Sequence, residues 1–175
     1  MSSRKNVKNI WLEEGLSILE RKGPGMLSIE NLTSRTGKTK GSFYHHFSSR
    51  EAYIRSLLDY YEKISTREVL RDTSAGADPG ERLRMLTKLT FRLSSGLELA
   101  IRAWALYDPM VKRFQDRMDR RRLGYLQELH EASGMDAVTA RTRSYRDYSL
   151  FIGLQQLRRH HTEAEFRSLL KDVFN

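Results

Sequence analysis

The chain has 175 residues, 31 Lys or Arg against 22 Asp or Glu, and a formal net charge of +9, with a pI near 9.9. That length allows one compact domain or a small one joined to a larger one, and the charge suits an anionic partner such as nucleic acid or an acidic membrane surface. The absence of cysteine excludes disulfides and thiolate metal sites, and no stretch approaches the length of a membrane span.

The first element is a helix on which Leu12, Leu16 and Leu19 repeat at helical spacing, stopped by the turn Gly23-Pro24-Gly25. It would brace the two helices that follow. Ser28 is a good N-cap for a short helix with Ile29 and Leu32 on its buried face. Gly37 can take the left-handed backbone that a tight inter-helix turn needs. Thr39 then caps a second short helix in which Phe43 and Phe47, four apart, share the packing face, and Lys40, Ser42, Tyr44 and His45 are the polar members. Gly41 is poor for helix stability, and its missing side chain would let the backbone come close to another surface, for which phosphate is the obvious candidate. Ser48-Ser49-Arg50-Glu51 fits a Ser-x-x-Glu capping box and opens a longer helix through Tyr53, Ile54, Leu57, Leu58 and Tyr61, running to about Leu70.

Residues 72–80 form the one linker-like stretch. Leu83, Leu86, Thr90, Leu93 and Leu97 mark another helix, and Trp104 and Ala105 sit in a shorter one. Asp108-Pro109 is a strong helix start, with Met110, Phe114, Met118, Tyr125 and Leu129 aligned until Gly134. Asp136 caps the next, carrying Tyr145, Tyr148, Phe151, Leu154 and Leu157, and the last opens at the capping box Thr162-Glu163-Ala164-Glu165 and carries Phe166, Leu169, Leu170 and Val173. No segment alternates with period two. The expected fold is all-α, with about nine helices.

Two helices hinged at glycine, the second short, basic and aromatic, outline a helix-turn-helix. Capped short helices occur in any helical protein, so spacing alone leaves the DNA reading and a purely structural one side by side. Charge separates them. Residues 1–50 hold nine Lys or Arg against four Glu, so more than half of the excess charge lies in under a third of the chain. A membrane-surface helix would gather its basic residues on one amphipathic face, whereas here they are spread over many helices.

At these residues the chain resembles the TetR family of one-component transcriptional regulators. The resemblance is strongest over residues 11–58, and its specific part is Gly-x-x-Lys-Gly-x-aromatic-Tyr-x-His-Phe at residues 37–47. RAWALYDPMVKRFQDRMDRRRLGYLQEL, residues 102–129, is similar to a C-terminal domain found in the family and is much less diagnostic. Three features depart from the family pattern: Thr33 and Thr36 stand where small alanines are usual, Lys38 replaces an apolar residue, and Gly15 replaces alanine. The hydroxyls can bond back to helix carbonyls, and Gly15 should weaken the first helix by about 1 kcal/mol.

The resemblance implies a DNA-binding domain at residues 1–50 and a helical ligand-binding and dimerisation domain at 51–175. It places Ser28, Tyr44, His45 and Arg50 on phosphates and Thr39, Lys40 and Ser42 nearest to base edges, with Lys38 able to reach a phosphate. Tyr44 could instead be a core aromatic, and His46 a half-buried packing residue. It further implies a homodimer on double-stranded DNA, most often a repressor released by a small-molecule effector, with Phe151, Leu154, Leu157, Phe166, Leu169 and Val173 as interface candidates. The alternative is that these stripes cover only the subunit's own core. Candidate effector contacts are Phe91, Arg102, Trp104, Tyr107, Met118, Tyr145 and Tyr148, each of which could equally be ordinary core. The C-terminal part could also answer to a protein partner. No catalytic or metal-ligand motif is present and no cofactor is expected, so an enzyme is the weaker rival. The N-terminus, broken by charges and without an apolar leader, reads as that of a soluble cytoplasmic protein.

Overall fold

A computed structural model describes residues 6–90, 93–158, 162 and 164–165. Among these the chain folds into eight α-helices and no strand. They are α1 Val7–Lys22, α2 Ile29–Thr36, α3 Lys40–His46, a long α4, α5 Pro79–Thr90, α6 Ser95–Ala105, α7 Pro109–Ala132 and α8 Ala137–Leu157. Helix α4 runs from Arg50–Glu62 through a π-helical turn, Lys63–Arg67, into Glu68–Thr73. A ninth helix start follows: Thr162 N donates to the Glu165 carboxylate at 2.8 Å while Glu165 N donates to Thr162 Oγ1 at 3.3 Å, the reciprocal bonds of a capping box. Phe91, Phe166, Leu169, Leu170 and Val173 lie outside the described residues.

Local chemistry sets the boundaries. Ser28, Thr39, Asp108 and Asp136 each accept from backbone amides of the first turn they cap. Gly37, at φ +65°, ends α2 with its N–H on Thr33 O, and Gly134, at φ +95°, follows α7. Two boundaries correct the sequence reading. The cap of α4 is Ser49, which accepts from Ala52 N at 3.0 Å, not Ser48, and Glu51 pairs instead with Arg55 one turn on. The leucine repeat from Leu83 to Leu97 is not one helix either. Ser94 caps a new helix there, accepting from Leu97 N, so Leu93 falls in the link and Leu97 joins the helix of Trp104. The apolar period happens to run on across that cap.

One core joins the N-terminal helices to the rest. Trp11, Leu16, Leu19, Leu32, Phe43, Phe47, Tyr53 and Leu57 are buried together, and the cluster continues through Tyr61, Ile101, Phe114 and Met118. Each such side chain contributes on the order of 1.5–3 kcal/mol relative to exposure. Gly15 belongs to this packing. A Cβ there would lie 1.8 Å from Tyr53 Oη, which donates to Trp11 O at 2.9 Å, so the glycine admits the tyrosine. No helix among the described residues is long and apolar enough to cross a membrane.

Candidate nucleic-acid interface

Phe43 and Phe47 turn inward from α3, with ring centroids 5.2 Å apart, and Trp11 meets Phe43 edge-on at 5.5 Å. This fixes the roll of α3 about its axis. Thr39, Lys40, Gly41, Tyr44 and His45 are therefore exposed, with Ser42 half-buried. Tyr44, 55% exposed, is not a core aromatic; it only leans its edge on Phe43. His45 faces solvent and His46 is half-buried, as adjacent positions on a helix require.

Two of the charged side chains, Lys40 and Arg50, are already engaged. Lys40 Nζ donates to Glu30 Oε1 at 2.8 Å, and the hydrogen bond with its neighbouring charge holds Glu30 below and Lys40 above their ordinary pKa. Both are well exposed, so another anion can take Lys40 at little cost. Arg50 Nε donates to Leu27 O at 3.1 Å, setting a cation beside the Ser28 cap, where the first amides of α2 favour negative charge. Lys38 is half-buried, and its amide donates to Thr36 Oγ1. Thr36 Oγ1 in turn donates to Leu32 O at 2.7 Å, and Thr33 Oγ1 to Glu30 O at 2.9 Å, so both threonines bond back within α2. Beyond its chain neighbours and the backbone of its own helix, the nearest atom to a Cβ built at Gly41 is Thr39 Oγ1, at 3.7 Å.

A second candidate site lies between α4, α5, α7 and α8. It is a partly open cavity of about 80 Å³ walled by Val69, Leu70, Leu83, Leu86, Leu93, Leu126 and Phe151, with Ser65, Thr66, Thr87, Thr90, Arg122, Asp147 and Tyr148 as its polar members. Ser65 and Thr66 stand on the π-helical turn of α4. Of the effector contacts expected from sequence, Tyr148 is in this wall. Arg102 is one bond away, donating to Tyr148 Oη at 2.8 Å. Trp104 and Met118 are core, while Tyr107 and Tyr145 point to solvent. Phe151 stacks on Tyr148 at 6.1 Å, and Leu154 is half-buried and Leu157 exposed.

Behind the cavity lies an ionic cluster that period-based reading missed. Arg122 Nη1 donates to both Glu98 oxygens at 3.1 Å, and its Nε donates to Thr66 Oγ1 at 2.9 Å. Arg102 donates to Glu98 and, bidentately, to Asp119, which also accepts from Tyr148 Oη at 2.6 Å. Two carboxylates thus balance two guanidiniums. Burial opposes the charge on Glu98, yet Arg122 and Arg102 outweigh it and hold the carboxyl below its ordinary pKa. Burial pushes the Tyr148 hydroxyl up to about 12. The available sequence signal was Glu98 itself, a carboxylate inside the stripe of Leu97, Ile101 and Trp104.

Residues 12–57 match the family model described as bacterial regulatory proteins, tetR family. The HTH-type transcriptional regulator YerO of Bacillus subtilis is 31% identical over 75 residues, a stretch covering 42% of this chain and 26% of that protein. The match to YuxN of the same organism is 28% identical and has the same reach, so the chain aligns with about a quarter of these relatives' length. Among solved structures, a TetR transcriptional regulator from Legionella pneumophila superposes with a TM-score of 0.84 at 16% identity, covering 99% of this chain and 97% of the other. A putative regulator from Saccharomonospora viridis in complex with choline gives 0.78 at 17% identity, covering 95% and 94%. Residues 12–57 therefore carry the N-terminal domain of the tetR family of bacterial regulatory proteins, with α2 and α3 as its helix-turn-helix, and the described residues as a whole have the fold of the TetR regulators on which they superpose.

Proposed function

We propose that the protein is a cytoplasmic repressor that binds a palindromic operator as a homodimer and leaves it when a small molecule enters the cavity behind α4. The observation that carries the DNA half is the fixed roll of α3, which leaves Thr39, Lys40, Tyr44 and His45 exposed; on this reading Thr39, Lys40 and Ser42 meet base edges and Ser28, Lys38, Tyr44, His45 and Arg50 meet phosphates. The open side of Gly41 suits close approach to the backbone of DNA.

The dimer reading is supported by α8. Val138, Tyr145, Leu150 and Leu157 are exposed along α8, away from the face carrying Ala140, Ser144 and Tyr148. Apolar side chains of that size, together with Leu154 and the expected Phe166, Leu169 and Val173, suit pairing with a symmetry mate. Phe151 belongs on this reading to the cavity rather than to the interface.

Release is read from α4, whose first half packs with α1 and α3 and whose π turn walls the cavity. Residues 1–50 then act as the DNA-binding unit and 51–175 as the sensing and pairing unit, with α4 running through the core they share. An occupant favouring one position of that helix shifts the population of DNA-competent dimers. A gel shift with the DNA upstream of the gene tests the reading. Retention of a palindromic fragment, weakening steeply with salt, is expected, alongside a species near 41 kDa in sedimentation, twice the 20.5 kDa of one chain. A 20.5 kDa species alone would remove the dimer.

A further inference from the structure

We infer that the effector is a compact, uncharged, largely apolar molecule; this rests on the proposal that the cavity behind α4 is the effector site. The argument is one of partners. A buried charge or hydrogen-bonding group is tolerated only where the wall offers a counterpart. Among the described residues of this wall, each polar group is already engaged within the protein. Arg122 is held by Glu98 and by the π turn of α4. Tyr148 Oη donates to Asp119 and accepts from Arg102. Asp147 accepts from Arg143 and Arg146 at 3.2 Å and lies 3.1 Å from His130 Nε2. Thr87 and Thr90 donate to carbonyls of their own helix, Leu83 O and Leu86 O. An anion would have to draw Arg122 from Glu98, leaving that carboxylate short of a partner. A cation would have to draw Asp147 from two arginines. An apolar molecule instead meets the leucines and Phe151 and leaves every one of these bonds intact.

Size narrows the class further. An apolar cavity of about 150 Å³ holds one benzene ring, and this one is about 80 Å³. A single-ring or short branched molecule therefore needs one wall to yield. Helix α5 is that wall, since it supplies Leu83, Leu86, Thr87 and Thr90 and has no fully buried residue.

The test uses three probes of one size, ethylbenzene, benzoate and benzylammonium, with the full-length protein. Ethylbenzene near saturation should raise the melting temperature by about 3 °C or more, and the two ions should not. The rise should vanish in Leu86→Trp; Thr87→Leu, which narrows the same wall more gently, serves if the first variant does not fold. A rise from benzoate or benzylammonium that matches the ethylbenzene rise, or no rise from any probe, overturns the assignment. Operator affinity, followed by fluorescence anisotropy in the same samples, separates the two layers: a rise with ethylbenzene and unchanged DNA binding keeps the ligand class and removes the effector role.

Discussion

Around Phe43, aromatic rings of α1, α3 and α4 meet at centroid distances of 5.2–5.5 Å, and one hydroxyl, that of Tyr53, needs a partner there. Further along α4, the space between α6, α7 and α8 is instead filled by Glu98, Arg102, Asp119 and Arg122 with the hydroxyls of Tyr61 and Tyr148. The first core is held by non-directional burial and fixes one orientation of α3. The second is held by directional bonds between charges, each depending on several others, and it touches the cavity. In physical terms the difference is between a core that fixes α3 by burial and one that holds charges by directional bonds beside the proposed effector cavity.

The largest effects should appear where that comparison can be broken. Glu98→Ala strands Arg122 in the interior and should cost about 3–5 kcal/mol in urea unfolding. Phe43→Ala should cost a similar amount, about 3–5 kcal/mol, by cavity formation. Acid tells them apart. Because the folded state holds the Glu98 carboxyl below its ordinary value of 4.5, its contribution is complete above that pH and is lost as pH falls through the folded value. Wild type and Phe43→Ala should both lose this increment on acidification, and Glu98→Ala should not; parallel pH curves for all three would refute the role given to Glu98.

Next in size is Gly15→Ala. Helix propensity alone favours alanine by about 1 kcal/mol. The 1.8 Å approach to Tyr53 Oη reverses the sign, and a net loss of about 1–3 kcal/mol is expected, smaller in combination with Tyr53→Phe than the two single losses added. Additive losses would mean that the two positions do not meet.

Smaller effects belong to the DNA face. Lys40→Ala should weaken the preferred sequence about tenfold and random DNA far less, whereas Arg50→Ala should weaken both alike. Glu30→Gln frees Lys40 from its neighbour and should leave thermal stability unchanged while tightening DNA binding slightly; looser binding would assign Glu30 a positioning role.

What was legible in the sequence follows the range of each interaction. Caps, glycine turns and the inward pair Phe43 and Phe47 act within a few residues, and they placed the helix-turn-helix and the starts of α2, α3, α7 and α8. The slip from Ser48 to Ser49 arose because either serine can cap and only the fold selects one. Gly15 read as a weak point until Tyr53, 38 positions later, was seen to occupy its space. The cavity wall and the cluster of Glu98 with Arg122 join residues from four helices, and a period read along one helix cannot pair them. Phe151 carried an apolar signal that fits an interface and a pocket equally well, and Tyr107 and Tyr145 one that fits a pocket and an exposed face.

The central claim is that α3 reads sequence. Fluorescence anisotropy of two labelled duplexes of equal length, the palindrome upstream of the gene and a scrambled version, tests it most directly across a salt series. The account predicts a preference for the palindrome that persists as salt weakens both and that collapses in Lys40→Ala. Equal affinity for the two duplexes at every salt concentration would contradict it.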